Sequence, residues 1–174
     1  MRKQIALVQQ DVFLFSGKII DNIRLGNVQM SQEEIQSIST AVNSHNFINN
    51  FPLKYEQELI EGGGSISSGQ RQLLSFARAL AVKPQILVLD EATSSVDMDT
   101  ERQIKNGIKE MTRGRTSIII AHRLSTLMHV DKVLVLKNGK IIEFGKRNEL
   151  LQQRGIFYKL CQAQIKSEQF CAEQ

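Results

Sequence analysis

Tryptophan is absent from the 174 residues, and proline and cysteine occur only twice each. The cysteines, Cys161 and Cys171, stand near the C-terminus with no histidine beside them. That excludes a disulfide-stapled scaffold and a zinc site, and it suits a reducing compartment. Apolar runs stop at about four to six residues, far short of the ~18–20 that cross a bilayer, and the start MRKQIALVQQ has no apolar signal core. No membrane anchor is therefore expected in the chain itself. Repeats and low-complexity tracts are missing, which excludes solenoid and fibrous architectures. Neither sign of charge dominates: 22 Lys and Arg face 18 Asp and Glu, a net charge of +4 scattered singly along the chain, which reads as a solvated surface rather than a nucleic-acid footprint. A phosphate-binding GxxxxGK[ST] loop is also missing, since Gly17-Lys18 runs into Ile19 and Gly139-Lys140 into Ile141.

What is present is the material of a folded α/β domain, with 41% hydrophobic and 23% charged residues. Ile5 to Val8 forms an apolar strand that gives way to Gln9-Gln10-Asp11, followed by a second apolar cluster from Val12 to Phe15. Ser31 and Glu34 make a capping box, and Ile35, Ile38 and Val42 recur at helical spacing, so a helix is expected from Ser31 to about Asn43. A short helix from His45 to Phe51 ends at Pro52, and a flexible loop from Glu61 to Ser65 leads into Ser67-Ser68-Gly69-Gln70. Leu73, Leu74, Ala77, Leu80 and Ala81 then share one helical face until Pro84. Ile86 to Leu89 is apolar at every position, which predicts a parallel strand buried on both faces, ending in Asp90-Glu91. Ile104, Ile108 and Met111 mark a further helix, and Ser117 to Ala121 repeats the buried-strand pattern before His122-Arg123. Open α/β sheets bind ligands at the carboxyl ends of their strands, so Gln10, Asp90, Glu91 and His122 converge if these strands are neighbours. Asn138-Gly139 predicts a type I′ hairpin between Val133–Leu136 and Lys140–Phe144. Helices around Arg147–Gln153 and Ile156–Ile165 complete the chain, before a polar tail at 166–174.

Each of these motifs is common by itself; their order is not. Gln10 after the first strand, Ser67-Ser68-Gly69-Gln70-Arg71-Gln72 opening a helix, Ile86 to Glu91, Ser94-Ser95-Val96-Asp97 and Ala121-His122-Arg123 together resemble the nucleotide-binding domain of an ABC transporter. The resemblance covers nearly everything from Ile5 to Cys161, and makes these the Q-loop, signature, Walker B with catalytic glutamate, D-loop and switch histidine. Phe15 to Ile23 and Ala121 to Ser125 look like the exporter branch, in which the ATPase is joined to a transmembrane domain. The implied fold is α/β and P-loop NTPase-like, a largely parallel sheet flanked by helices with a helical signature subdomain at about 18–82. Residues 1–165 would form that one partial domain.

The family's chemistry, phosphoryl transfer to water, needs a metal carboxylate, a group that orients water and donors for the γ-phosphate. The resemblance assigns Mg²⁺ to Asp90 with help from Gln10, water activation to Glu91, and γ-phosphate contact to His122. The ATP of a partner domain would be met by Ser67, Ser68, Gly69 and Gln70 at the helix start, with Asp97 nearby. Ser68 departs from the common LSGGQ form, and Gln9 stands where a proline often precedes the loop glutamine. Implied partners are a second nucleotide-binding domain and a transmembrane domain at the cytoplasmic face of a membrane, without nucleic acid. Because the family places its phosphate-binding loop and a strand upstream of the Q-loop, the chain is expected to be an N-terminally truncated copy that binds ATP poorly alone. The alternatives are a non-catalytic remnant that binds a partner domain and a chromosome-maintenance ATPase. The short segment between Gln10 and Ser67 carries no heptads, which speaks against the latter.

Overall fold

Ile5–Val8 (β1), Ile86–Asp90 (β4) and Thr116–Ile120 (β5) form a parallel sheet in the order β1-β4-β5. The computed structural model describes residues 4–25, 27, 29–90, 97–121, 126–127 and 130–163. They separate into two units, 1–120 and 121–174. In the first, the expected strands are indeed neighbours: Val8 lies opposite Leu89, and Asp90 opposite Ile120. The fold is mixed α/β with helices flanking a parallel sheet.

Between β1 and β4 the chain is mainly helical, through Ile19–Arg24 (α1), Gln32–Ala41 (α2), His45–Asn49 (α3) and Ser68–Ala81 (α4). Two of these begin where their caps dictate. Ser31 and Glu34 close a reciprocal capping box at α2, and Ser67 and Gln70 close one at α4. Ile35 and Val42 of the predicted α2 face are fully buried, as is most of the predicted α4 face. α1 is shorter than two turns and gives no periodic signal in the sequence. It forms because Ile19, Ile20 and Ile23 are driven into the core while Asn22 is satisfied by the loop before it. The glycine-rich stretch is also more ordered than its composition suggests. Glu58–Leu59 (β3) pairs with Gly17–Lys18 (β2), and Glu61–Gly63 turns in a 3₁₀ segment with Gly62 at φ +75°.

Met98–Thr112 (α5) packs beside α4, and Gly107 permits the approach. A Cβ there would stand 3.2 Å from the Phe76 ring and 3.3 Å from the Val42 carbonyl oxygen. The core joins Ala6, Val8, Leu87 and Leu89 of the sheet to Leu73, Phe76 and Ala77 of α4 and Ile104, Ile108 and Met111 of α5. These strands were expected to be buried on both faces, and here the structure differs. Along β4, Leu87 and Leu89 are buried but Ile86 and Val88 only partly so, and Leu7 and Ile118 are each 57% exposed. Among the described residues of the first unit, the helices cover one face of the sheet and none packs on the other. Asp90 belongs to the uncovered alternation, with Ile86 and Val88.

In the second unit, Val133–Lys137 (β6) and Lys140–Gly145 (β7) form the expected hairpin. Asn138 at φ +52° and Gly139 at φ +72° supply the two positive angles of a type I′ turn. Arg147–Gln153 (α6) and a helix at 156–163 pack Leu150, Phe157 and Cys161 against Val133 and Val135. The Glu143 carboxylate accepts from the N–H groups of Ile156 and Phe157 and so fixes the start of the last helix.

Candidate functional site

Gln10 follows β1 by two residues and Asp90 ends β4, so pairing of Val8 with Leu89 sets both at the same edge of the sheet. Gln10 is exposed and Asp90 partly so. A carboxylate and a neutral amide oxygen at one strand edge are oxygen donors of the kind Mg²⁺ takes, since that ion retains several waters and uses only one or two protein carboxylates beside phosphate. The donor set therefore fits the ion. Glu91 and His122 lie outside the described residues. Among the described residues no group of three or more His, Cys, Asp and Glu could hold a metal ion.

Ser67 occupies the N-cap of α4, with extended backbone at φ −65° and ψ 161°. Its hydroxyl oxygen accepts from the Gln70 N–H at 3.2 Å, and the Gln70 Oε1 accepts from the Ser67 N–H at 3.0 Å. That box decides what each group has left to offer. The Ser67 hydroxyl hydrogen is unspent, whereas the Gln70 carbonyl oxygen is committed to the cap and only its amide nitrogen points elsewhere. Ser68 and Gly69 carry first-turn N–H groups that the helix cannot satisfy, at the positive end of its dipole. Arg71, in the same motif, donates to the Ile66 carbonyl at 2.9 Å and to the Gly63 carbonyl at 3.3 Å, holding the preceding loop under the helix start.

Asp97 is the N-cap of α5, and its Oδ1 accepts from the Thr100 N–H at 2.9 Å. Hydrogen bonding from the Thr100 hydroxyl, and then from its N–H, holds the carboxyl below the ordinary carboxylate range. Its surroundings thus mark it as an ionised cap. The structure brings Gln10 and Asp90 to one edge, and sets Ser67, Ser68, Gly69 and Gln70 together at the start of α4.

Residues 1–94 match the family model described as ABC transporter. The chain belongs to that family. An uncharacterised ABC transporter ATP-binding protein of Bacillus subtilis is 46% identical over 164 residues, covering 94% of this chain and 27% of that protein. A fatty acid ABC transporter ATP-binding/permease protein of Mycobacterium bovis is 44% identical over 163 residues, 94% of this chain and 26% of its own length. A candidate multidrug export ATP-binding/permease protein of Staphylococcus aureus is 43% identical over 160 residues, 92% and 28% respectively. The chain spans about a quarter of the length of these relatives. Among its described residues no helix is long and apolar enough to cross a membrane.

Two residues of the ABC domain escaped the reading of the sequence: the buried Asn22 on α1 and the half-buried Arg78 on α4. The single charged side chain of Arg78 among Ala77, Ala79 and Leu80 was the available signal.

Proposed function

We propose that the chain supplies the hydrolytic edge and the signature helix of an ATPase that drives export through a transmembrane domain. The observation that carries this is the parallel pairing of β1 with β4, by which both strands run out at the same end of the sheet, with Gln10 two residues beyond one and Asp90 closing the other. In this reading Asp90 and Gln10 hold Mg²⁺, and Glu91 takes a proton from the attacking water. His122 donates to the γ-phosphate, while the Ser67 hydroxyl and the Ser68 and Gly69 N–H groups meet ATP held by a second domain. Asp97 stands by that second domain as the D-loop acid. The metal supplies charge neutralisation at the phosphates when bound.

The same edge supports contact with a transmembrane domain on its cytoplasmic side. A groove of about 340 Å³ opens beside the Gln10 loop, walled by Leu7, Phe13, Phe15, Leu25 and Arg78. Phe13 and Phe15 are exposed and meet edge-to-face with ring centres 5.3 Å apart, which adds an aromatic pair to the exposed apolar surface of Leu7 and Leu25. The chain lacks a GxxxxGK[ST] loop, so it should bind ATP weakly alone.

A chimera carrying this chain in place of the matching segment of the Mycobacterium bovis relative tests the reading. Mg²⁺-dependent ATP hydrolysis by the chimera, lost by at least about a hundredfold in Glu91→Gln, is the expected result. Turnover indifferent to Glu91→Gln would overturn it.

A further inference from the structure

The segment after Gln10 has no regular secondary structure from Val12 to Phe15, yet its main chain is held at Phe13, Leu14 and Phe15 in turn. Arg78 Nη1 donates to the Phe13 carbonyl at 2.8 Å, and the Gly62 N–H donates to the Leu14 carbonyl at 2.9 Å. Asn22 takes Phe15 on both sides. Its Oδ1 accepts from the Phe15 N–H at 3.0 Å, and its Nδ2 donates to the Phe15 carbonyl at 2.9 Å and to the Lys18 carbonyl at 3.2 Å. Arg78 then closes the knot. Its Nε donates to the Asn22 carbonyl at 3.0 Å, its Nη2 to the Asn22 Oδ1 at 2.9 Å, and its guanidinium lies 5.6 Å from the centre of the Phe15 ring.

Three features make this more than packing. Asn22 is only 3% exposed, so its polar atoms depend on these partners. None of the ion pairs among the described residues includes Arg78, so its charge is met by oxygen dipoles and a ring face. Only a planar fork with separate N–H groups reaches acceptors on two different segments at once, which a lysine ammonium cannot reproduce. Finally, Arg78 stands eleven residues from Ser67 on α4, three turns or about 16 Å along a stiff helix whose other end is the signature.

We propose that Arg78, with Asn22 as its partner, is a positioning residue that locks the loop following Gln10 to the signature helix. A displacement at Ser67 then reaches Gln10 through a hydrogen-bonded joint rather than through a free loop. The lock itself stands on the hydrogen bonds. Its effect on turnover rests on the ATPase reading above.

Amide hydrogen exchange on the full 174-residue chain tests the lock. Arg78→Lys, which keeps the charge and loses the fork, should accelerate exchange across residues 13–18 by about tenfold while α4 amides change by less than about twofold. Asn22→Ala should give the same local signature, and the double variant should add little to either. Equal acceleration in the loop and in α4, or none in the loop, would overturn the proposal, the first by reducing Arg78 to a general stabiliser. In the chimera, Arg78→Lys should lower kcat about tenfold with the ATP KM held within about twofold, and Gln10→Ala should cost little more on top of it. A raised KM at unchanged kcat would count against positioning. A parental chimera without turnover would count against the ATPase reading, and the exchange experiment would still decide the lock.

Discussion

Two leucines one strand apart should respond very differently to the same truncation. Leu87 on β4, opposite Ala6, is fully buried under α4 and α5, whereas Leu7 on the neighbouring β1, opposite Val88, is 57% exposed on the other face of the sheet. Leu87→Ala leaves a cavity in a closed core and should cost about 2–5 kcal/mol. Leu7→Ala removes a side chain that keeps less than half of its burial. Full burial of a leucine is worth about 1.5–3 kcal/mol, so the loss should be about 0.5–1 kcal/mol with no enclosed cavity added. With a urea dependence of about 2 kcal/mol per molar, the unfolding midpoint should fall by about 1–2.5 M for Leu87→Ala and by no more than about 0.5 M for Leu7→Ala. The chain has no tryptophan, so far-UV circular dichroism is the appropriate probe. A companion pair, Leu7→Lys and Ile118→Lys, should each lower that midpoint by no more than about 0.5 M while reducing light scattering, because the exposed apolar face is the surface that favours self-association. Equal midpoint shifts for Leu7→Ala and Leu87→Ala would show that both faces of the sheet are covered and would refute the reasoning.

In the chimera, Asp90→Asn should weaken Mg²⁺-dependent nucleotide binding, whereas Glu91→Gln should leave nucleotide bound; a Glu91→Gln rate within about threefold of the parent, a barrier change below ~0.7 kcal/mol, would remove its role as base. Ser67→Arg should spare ATP binding and abolish domain closure, with Ser67→Ala much milder. A mixed dimer of Ser67→Arg with Glu91→Gln subunits should retain single-turnover hydrolysis at one intact composite site, and its loss there would argue for action in cis. Asp97 supplies a pH test. Its carboxyl is depressed in the folded chain, so its contribution is present above the unfolded value and fades as pH falls through the folded one. Asp97→Asn, which caps without titrating, should flatten that acid limb in a circular-dichroism titration, and an unchanged limb would show that the cap does not contribute.

Local chemistry was readable from the chain alone. Ser31 with Glu34 started its helix where the capping pattern required, because both partners lie within one turn of each other, and the helix opened by Ser67-Ser68-Gly69-Gln70 began where the sequence placed it. Asn138-Gly139 set the hairpin for the same reason, its conformational demand being met by two adjacent residues. Runs of apolar residues ending in Gln10 and Asp90 located the strand edge, and the order of motifs along the chain carried the family. What required the tertiary structure was everything that depends on distant partners. An apolar run cannot tell whether one layer or two will cover it, so Ile86 and Val88 read as buried and prove only half covered. The six-residue α1 is too short for periodicity and exists because the core takes its isoleucines. Arg78 meets Asn22 across 56 residues of sequence, and nothing in the order of residues announces that meeting. Only the packing of α4 against α1 brings the guanidinium both to the Phe13 carbonyl in the loop behind Gln10 and to the side chain of Asn22, a buried amide that needs such partners.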